Sequence, residues 1–262
     1  MTNAWLSDMW RQERLLMRYT AAMCLAGVLA AILWSVDDRV IRDVNVWVKP
    51  MKFMVATALF ALTNAAILMR LPQSVRAQTG LHAMVMVLVI TSLFEVAYIT
   101  LQGALGQGSH YNVSSPWMAL MFGLMALAAV GLTATQGYLA WVVHRHGLTW
   151  GSPLWVRSVV WGLALTFGLA TFSGFVLGGL QPPAAQGLPI LGWHLSGGDA
   201  RPAHFLGVHG HQLIPLWGLV VMVGETRGLG ARWALALLYG GVALYVLAWA
   251  VLAVLGLSAP VA

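Results

Sequence analysis

Residues 82–103 read HAMVMVLVITSLFEVAYITLQG. A bilayer core is crossed by about 20 predominantly apolar residues of helix, and this stretch supplies them with one carboxylate, Glu95, in their midst. Working outward, the same test selects 19–36, 48–69, 116–142, 155–179, 204–224 and 233–257. The whole chain is 60% hydrophobic and 8% charged, against roughly 25% charged residues in a soluble domain. So much apolar surface has no place in water. The fold expected is all-α, a polytopic bundle of seven transmembrane helices in a single transmembrane domain over 1–262, with the lipid bilayer as its solvent.

Ahead of the first span, WLSDMWRQERLLMR sets Trp5, Met9, Trp10 and Leu16 against Asp8, Arg11, Gln12, Glu13 and Arg14. That pattern predicts a short amphipathic helix lying in the interface over 1–18, and no small-residue cleavage pattern precedes Asp37. Nine of the 14 Lys and Arg fall on the amino-terminal side of the bundle. The positive-inside rule then predicts an inner (cytoplasmic) membrane protein with a cytoplasmic amino terminus and an external carboxyl terminus. The formal charge of +6 is read as basic anchors at the membrane boundary, so nucleic acid is not an expected partner. A lone cysteine, Cys24, excludes an intramolecular disulfide and a CxxC redox or metal motif.

Two connections, 104–115 and 180–203, are long for a bundle, and loops of that length are commonly functional. The topology places both outside. Helix starts are marked by Pro50, Pro116 (after Ser114 and Ser115 as caps) and Pro202. Gly174 and Gly178 are spaced for close helix contact, while Gly207 and Gly210 would permit an irregular first turn in the sixth span.

The polar exceptions carry the functional reading. Thr91, Glu95, Tyr98 and Gln102 recur at helical spacing and trace one stripe. A carboxylate at that depth costs a few kcal/mol, so Glu95 is expected to face the bundle and to share a hydrogen-bonded site with at least one of His110, His204 or His209. The sixth span opens with HFLGVHGHQLIP (204–215), which carries His204, His209, His211 and Gln212. His110 and Asn112 lie in the first long loop, Asp199 lies just before the sixth span, and Lys49 and Lys52 flank Pro50. In the inferred topology these residues reach one membrane face, above Glu95.

Histidine with a carboxylate suits a transition metal ion such as zinc, iron or copper. The leading expectation is a metal-dependent membrane enzyme acting on a lipid-soluble or interfacial substrate. Its metal ligands are His110, His204, His209 and His211, with Glu95 as catalytic base or further ligand. Asp199 and Gln212 orient imidazoles; Lys49 and Lys52 hold an anionic headgroup or substrate; Tyr98, Gln102 and Asn112 line the site. One alternative is a quinone-linked redox subunit binding haem b through imidazoles. Another is a proton-coupled transporter, with Glu95, Tyr98, Gln102 and His209 as relay, or a membrane-complex assembly subunit. The sequence has no HExxH, GxSxG, P-loop, GxGxxG or CxxCH motif, so the activities those motifs support are not expected.

Overall fold

The computed structural model describes residues 2–184, 187–188 and 191–258. Its helices are α1 (Thr2–Gln12), α2 (Arg14–Trp34), α3 (Val48–Leu68), α4 (Gln73–Arg76), α5 (Thr79–Ala104) and α6 (Pro116–His146). These are followed by α7 (Pro153–Leu165), α8 (Thr171–Gly179), α9 (Arg201–Thr226) and α10 (Ala231–Leu257). A hairpin of β1 (Val40–Ile41) and β2 (Val44–Asn45) separates α2 from α3, and a π-helical turn, Thr166–Ala170, joins α7 to α8. Seven helical segments are long and apolar enough to cross a membrane, with α7 and α8 forming one of them. The protein is therefore an all-α, multi-pass membrane protein. Residues 185–186 and 189–190 of the long 180–203 connection lie outside the described residues.

The first span begins earlier than hydropathy suggests, at Arg14. The Arg14 and Arg18 side chains are exposed, and an arginine stem can lie along apolar surface while its head stays polar. Preceding it, α1 exposes Trp5, Leu6 and Trp10 and buries Met9.

The chain divides into two compact units. Unit 1 comprises residues 1–69, 82–132 and 184–193; unit 2 comprises 70–81, 133–183 and 194–262. In unit 1, α2 packs on α3, where Gly27 faces Met54. Tyr98, Ile99, Met121 and Met125 form an apolar core with Phe53 and Phe94 packed against it. Hydroxyls along the spans bond to their own helix: Thr57 to Phe53 O (2.8 Å), Thr91 to Val87 O (2.7 Å), Ser92 to Leu88 O (2.6 Å) and Thr100 to Val96 O (2.7 Å). Such bonds let a hydroxyl sit in hydrocarbon without an unmet donor.

The hairpin of unit 1 turns through Arg42 and Asp43, whose φ angles of 52° and 62° are both left-handed, as a type I′ turn requires. Beside it Asp37 accepts from Arg39 Nη2 (2.7 Å) and from Trp47 Nε1 (2.8 Å). Asn45 Nδ2 donates to the Asp37 carbonyl. Hydrogen bonds from Arg39 first, then from Trp47, hold the Asp37 carboxyl well below the usual carboxylate range. Arg39 Nη1 also donates to Ala104 O at 2.9 Å, a cation on an otherwise orphaned carbonyl at the end of α5.

Unit 2 is built on close backbone approach. A Cβ on Gly207 of α9 would lie 2.8 Å from Ala170 N, and one on Gly162 of α7 would lie 2.9 Å from Gly210 O. Gly207 and Gly210 thus serve packing, and α9 is helical from its first turn. A Cβ on Gly174 would meet His204 Cε1 at 3.6 Å, an ordinary contact, whereas one on Gly178 would have nothing within 4 Å. Ser152 caps α7 by accepting from Trp155 N (3.3 Å) and donates to Glu225 Oε2 (2.8 Å). In unit 1 the corresponding cap on α6 is Ser115, which accepts from Met118 N at 3.3 Å.

Candidate functional site

Polar side chains gather in two places, one within each unit. In unit 1 the first turn of α3 carries Lys49, and its Nζ lies 2.9 Å from Ser109 Oγ and 3.1 Å from His110 Nδ1. An ammonium has only protons to give, so His110 Nδ1 must be the acceptor. A proton or metal ion at Nδ1 would have to displace the lysine. The imidazole is surrounded by aromatic rings, with Phe122 at 5.9 Å, Phe53 at 6.4 Å and Tyr111 at 6.4 Å between centroids. Lys49 Nζ also lies 5.9 Å from the Phe53 centroid. One turn along, Lys52 Nζ donates to Leu191 O at 3.0 Å.

Asn112 shapes the loop that carries His110. Its Nδ2 donates to Gly108 O (3.2 Å), and its Oδ1 accepts from Ser114 N (3.2 Å) and Ser114 Oγ (2.7 Å). Tyr111 holds a left-handed φ of 57° beside it. These bonds make Asn112 a loop-forming residue that positions His110.

Deeper in unit 1 lies the polar stripe of α5. Glu95, Tyr98 and Gln102 are all buried. Tyr98 is accommodated: its hydroxyl meets Met118 Sδ at 3.4 Å. The other two differ. Oε1 of Glu95 and Oε1 of Gln102 are buried and meet no hydrogen-bond partner among the described residues. Lys49 lies within electrostatic reach of the Glu95 carboxyl. Seven residues separate Glu95 from Gln102, which at 1.5 Å per residue is about 10 Å along the same face.

In unit 2 the histidines of α9 have a different environment. His209 Nδ1 lies 3.0 Å from Gln212 Oε1, Gln212 Nε2 lies 3.1 Å from His211 Nε2, and His211 Nδ1 lies 3.0 Å from Val208 O. A carbonyl can only accept, so His211 carries its proton on Nδ1 and offers a lone pair at Nε2. Gln212 must then donate its amide N–H to that lone pair, which turns its Oε1 toward His209 and makes His209 Nδ1 a donor. The direction of every bond follows from Val208 O. His209 is left with its lone pair on Nε2, beside the Phe205 ring at 4.2 Å. His211 has both ring nitrogens engaged, and its backbone N–H donates to Thr166 Oγ1 at 2.8 Å.

His204 stands apart from that chain. Its Nδ1 lies 3.1 Å from Ser173 Oγ. Ser173 already donates to Leu169 O at 2.7 Å, so here the imidazole is the donor.

Asp199 precedes α9. Its carboxylate accepts from the backbone N–H of His194 (2.9 Å), from Arg201 N (3.0 Å), and from Arg201 Nε (2.8 Å) and Nη2 (2.6 Å). Burial opposes its ionisation, but the bonds from Arg201 and the two backbone N–H groups outweigh that. They hold the carboxyl below its ordinary range. Asp199 therefore organises the approach to α9 through Arg201 and the His194 backbone, where the sequence suggested an imidazole ring.

Among the described residues no three His, Cys, Asp or Glu side chains are gathered to hold a metal ion. The motif GQGSHYN places Ser109 beside His110 in the sequence itself; Asp37, Thr166 and Ser173 act across turns or between helices and carry no comparable signal. No family model, no curated protein and no solved structure matches this chain.

Proposed function

We propose that this protein is a proton-coupled membrane transporter in which Glu95 carries the proton. One observation supports the reading: a carboxyl in the interior of a membrane span with a buried oxygen that meets no hydrogen-bond partner among the described residues. An ionised carboxylate is costly in such a place and a protonated one is neutral, so the group holds a proton and releases it only where a counter-charge is at hand. Lys49 provides the counter-charge when the proton leaves. Lys49 and Lys52 also give the end of unit 1 at which α3 begins a positive character suited to a small anionic substrate. The basic bias of the connections supports a cytoplasmic amino terminus in an inner membrane. The test is proton flux into vesicles reconstituted with the purified protein, read by an internal pH dye. Glu95→Gln should lower the flux at least about 100-fold, the scale on which loss of a proton-transferring side chain acts. Flux unchanged by Glu95→Gln would overturn the assignment.

A second reading, the metal-dependent enzyme, has its support in unit 2. Gln212 holds His209 in the tautomer that presents Nε2, the kind of outer support that metal-ligating imidazoles receive. His204 and His209 are the ligands it favours, since each donates from Nδ1 and keeps its lone pair on Nε2, whereas His211 has both ring nitrogens engaged and His110 accepts at Nδ1, which puts its proton on Nε2. Elemental analysis and an absorption spectrum of one purified sample test both this reading and the haem b alternative. Stoichiometric zinc, iron or copper lost in His209→Ala would support it, and a Soret band would support haem.

A further inference from the structure

The buried face of α5 changes character halfway along. Met84 and Leu88 are buried and apolar, and Ser92 has its hydroxyl on Leu88 O. Beyond them come Glu95, Tyr98 and Gln102, with the buried Tyr19 hydroxyl of α2 beside Ser92, Thr57 and Glu95, so that the apolar stretch begins at Leu88. Gln102 adjoins Gly103, where a Cβ would lie 2.8 Å from Val46 O and 3.2 Å from Pro50 Cγ. Gln102 therefore sits level with the first turn of α3, where Lys49, Ser109 and His110 meet. Two buried polar atoms without partners among the described residues, on residues about 10 Å apart on one face, need hydrogen-bonding partners of some kind. Water is small enough and can both donate and accept.

We propose that Glu95 exchanges its proton along a one-ended, water-bridged path that runs through Gln102 to the Lys49–Ser109–His110 cluster, and that the Leu88 side of Glu95 is sealed. The inference deepens the transport reading, since it fixes the side from which Glu95 is loaded in this conformation. The proton leaves the carboxyl oxygen for a water oxygen and returns by the reverse step; nothing is oxidised or reduced. Gln102 is a positioning residue, because its amide cannot carry charge but can hold water in line.

Two measurements test the path without needing flux. In a Cys24→Ser background, Gln102→Cys and Leu88→Cys are each exposed in sealed vesicles to a charged, impermeant thiol reagent from either side. Labelling of Gln102→Cys from the side on which α3 begins, with Leu88→Cys protected from both sides, is the expected result. Leu88→Cys labelled as readily as Gln102→Cys, or Gln102→Cys protected in folded protein, overturns the path. Separately, infrared spectroscopy of the protonated Glu95 carboxyl, identified by its loss in Glu95→Gln, follows its deuteration. Gln102→Leu should slow that exchange roughly tenfold, the effect of a barrier raised by about 1.4 kcal/mol. Unchanged exchange in Gln102→Leu would also overturn it. If the path holds and no flux is found, the transport reading fails while the path stands.

Discussion

His211 in unit 2 and Glu95 in unit 1 are both buried polar residues in membrane spans, and they have opposite surroundings. His211 has both ring nitrogens and its backbone N–H engaged, by Val208, Gln212 and Thr166. Glu95 has a buried oxygen with no partner among the described residues. Burial alone makes both look functional in a sequence. Hydrogen-bond satisfaction separates them: a satisfied buried imidazole fixes helix packing, whereas an unsatisfied carboxyl needs a partner that the described side chains do not supply.

The largest effect expected from this contrast is in stability. His211→Leu keeps the bulk but leaves the Gln212 amide without its acceptor, and it removes the donor from Val208 O. The cost should be about 2–6 kcal/mol, from two disrupted buried hydrogen bonds at roughly 1–3 kcal/mol each. Thermal unfolding in detergent would show it as a clear drop in Tm. Glu95→Gln, by contrast, should leave Tm unchanged while proton flux falls. If Glu95→Gln lowers Tm as much as His211→Leu does, the carboxyl is structural and the comparison breaks.

Next in size is the packing beneath the histidines. Gly207→Ala places a methyl carbon against the backbone of Leu169 and Ala170, in the π-helical turn that also supplies Thr166 to His211. Backbone cannot yield as a side chain can, so a loss of about 1–3 kcal/mol is expected. Gly178→Ala, with open space around it, should cost nothing by the same assay. Equal effects at the two positions would show that the turn is not seated on α9.

How much of this was legible follows from what a linear pattern can hold. The seven spans were, because twenty apolar residues in a row need no partner to be recognised. The stripe of Glu95, Tyr98 and Gln102 was too, since helical spacing puts it on one face. Start points were less so: Arg14 and Arg18 are helical although hydropathy discounts them. The distinction between His211 and Glu95 was not legible, because it depends on Thr166, 45 residues away, and on what does not approach Glu95. Topology placed Lys49 and His110 at one membrane face, but the bond between them joins residues 61 apart. The Asp37–Arg39 pair has no signal in the sequence beyond two neighbouring charges; the contact from Arg39 to Ala104 makes it a cap on α5.

A smaller effect is expected from acid. The Asp199 carboxyl is held below its ordinary value in the folded protein. Its contribution is therefore fully present above the unfolded value of about 3.9 and is lost as pH falls through the folded one. Asp199→Asn should remove roughly 1–2 kcal/mol near neutral pH, the scale of hydrogen bonds to a charged group. The difference from wild type should shrink as both are acidified. A difference that grows toward low pH would mean that Arg201 is not the group stabilising the carboxylate.

The smallest effect belongs to His209, and it sharpens the contrast within unit 2 itself. His209 stands at the free end of the directed chain: it donates to Gln212 Oε1, while Gln212 donates onward to His211. Removing the first donor leaves the bonds of His211 to Gln212 and Val208 in place. His209→Leu should therefore cost under about 1 kcal/mol, one hydrogen bond whose remaining partner, Gln212, is only half-buried. His211→Leu breaks the middle and should cost several times more. If the two substitutions cost the same, His209 is held as tightly as His211 and its Nε2 is no more available for a ligand than the engaged nitrogens of its neighbour. If His209→Leu is nearly neutral for stability but removes a bound metal ion, the end of the chain is a binding group and the middle its support. A stability-neutral His209→Leu that changes neither metal content nor proton flux would leave Glu95 as the side chain through which this bundle acts.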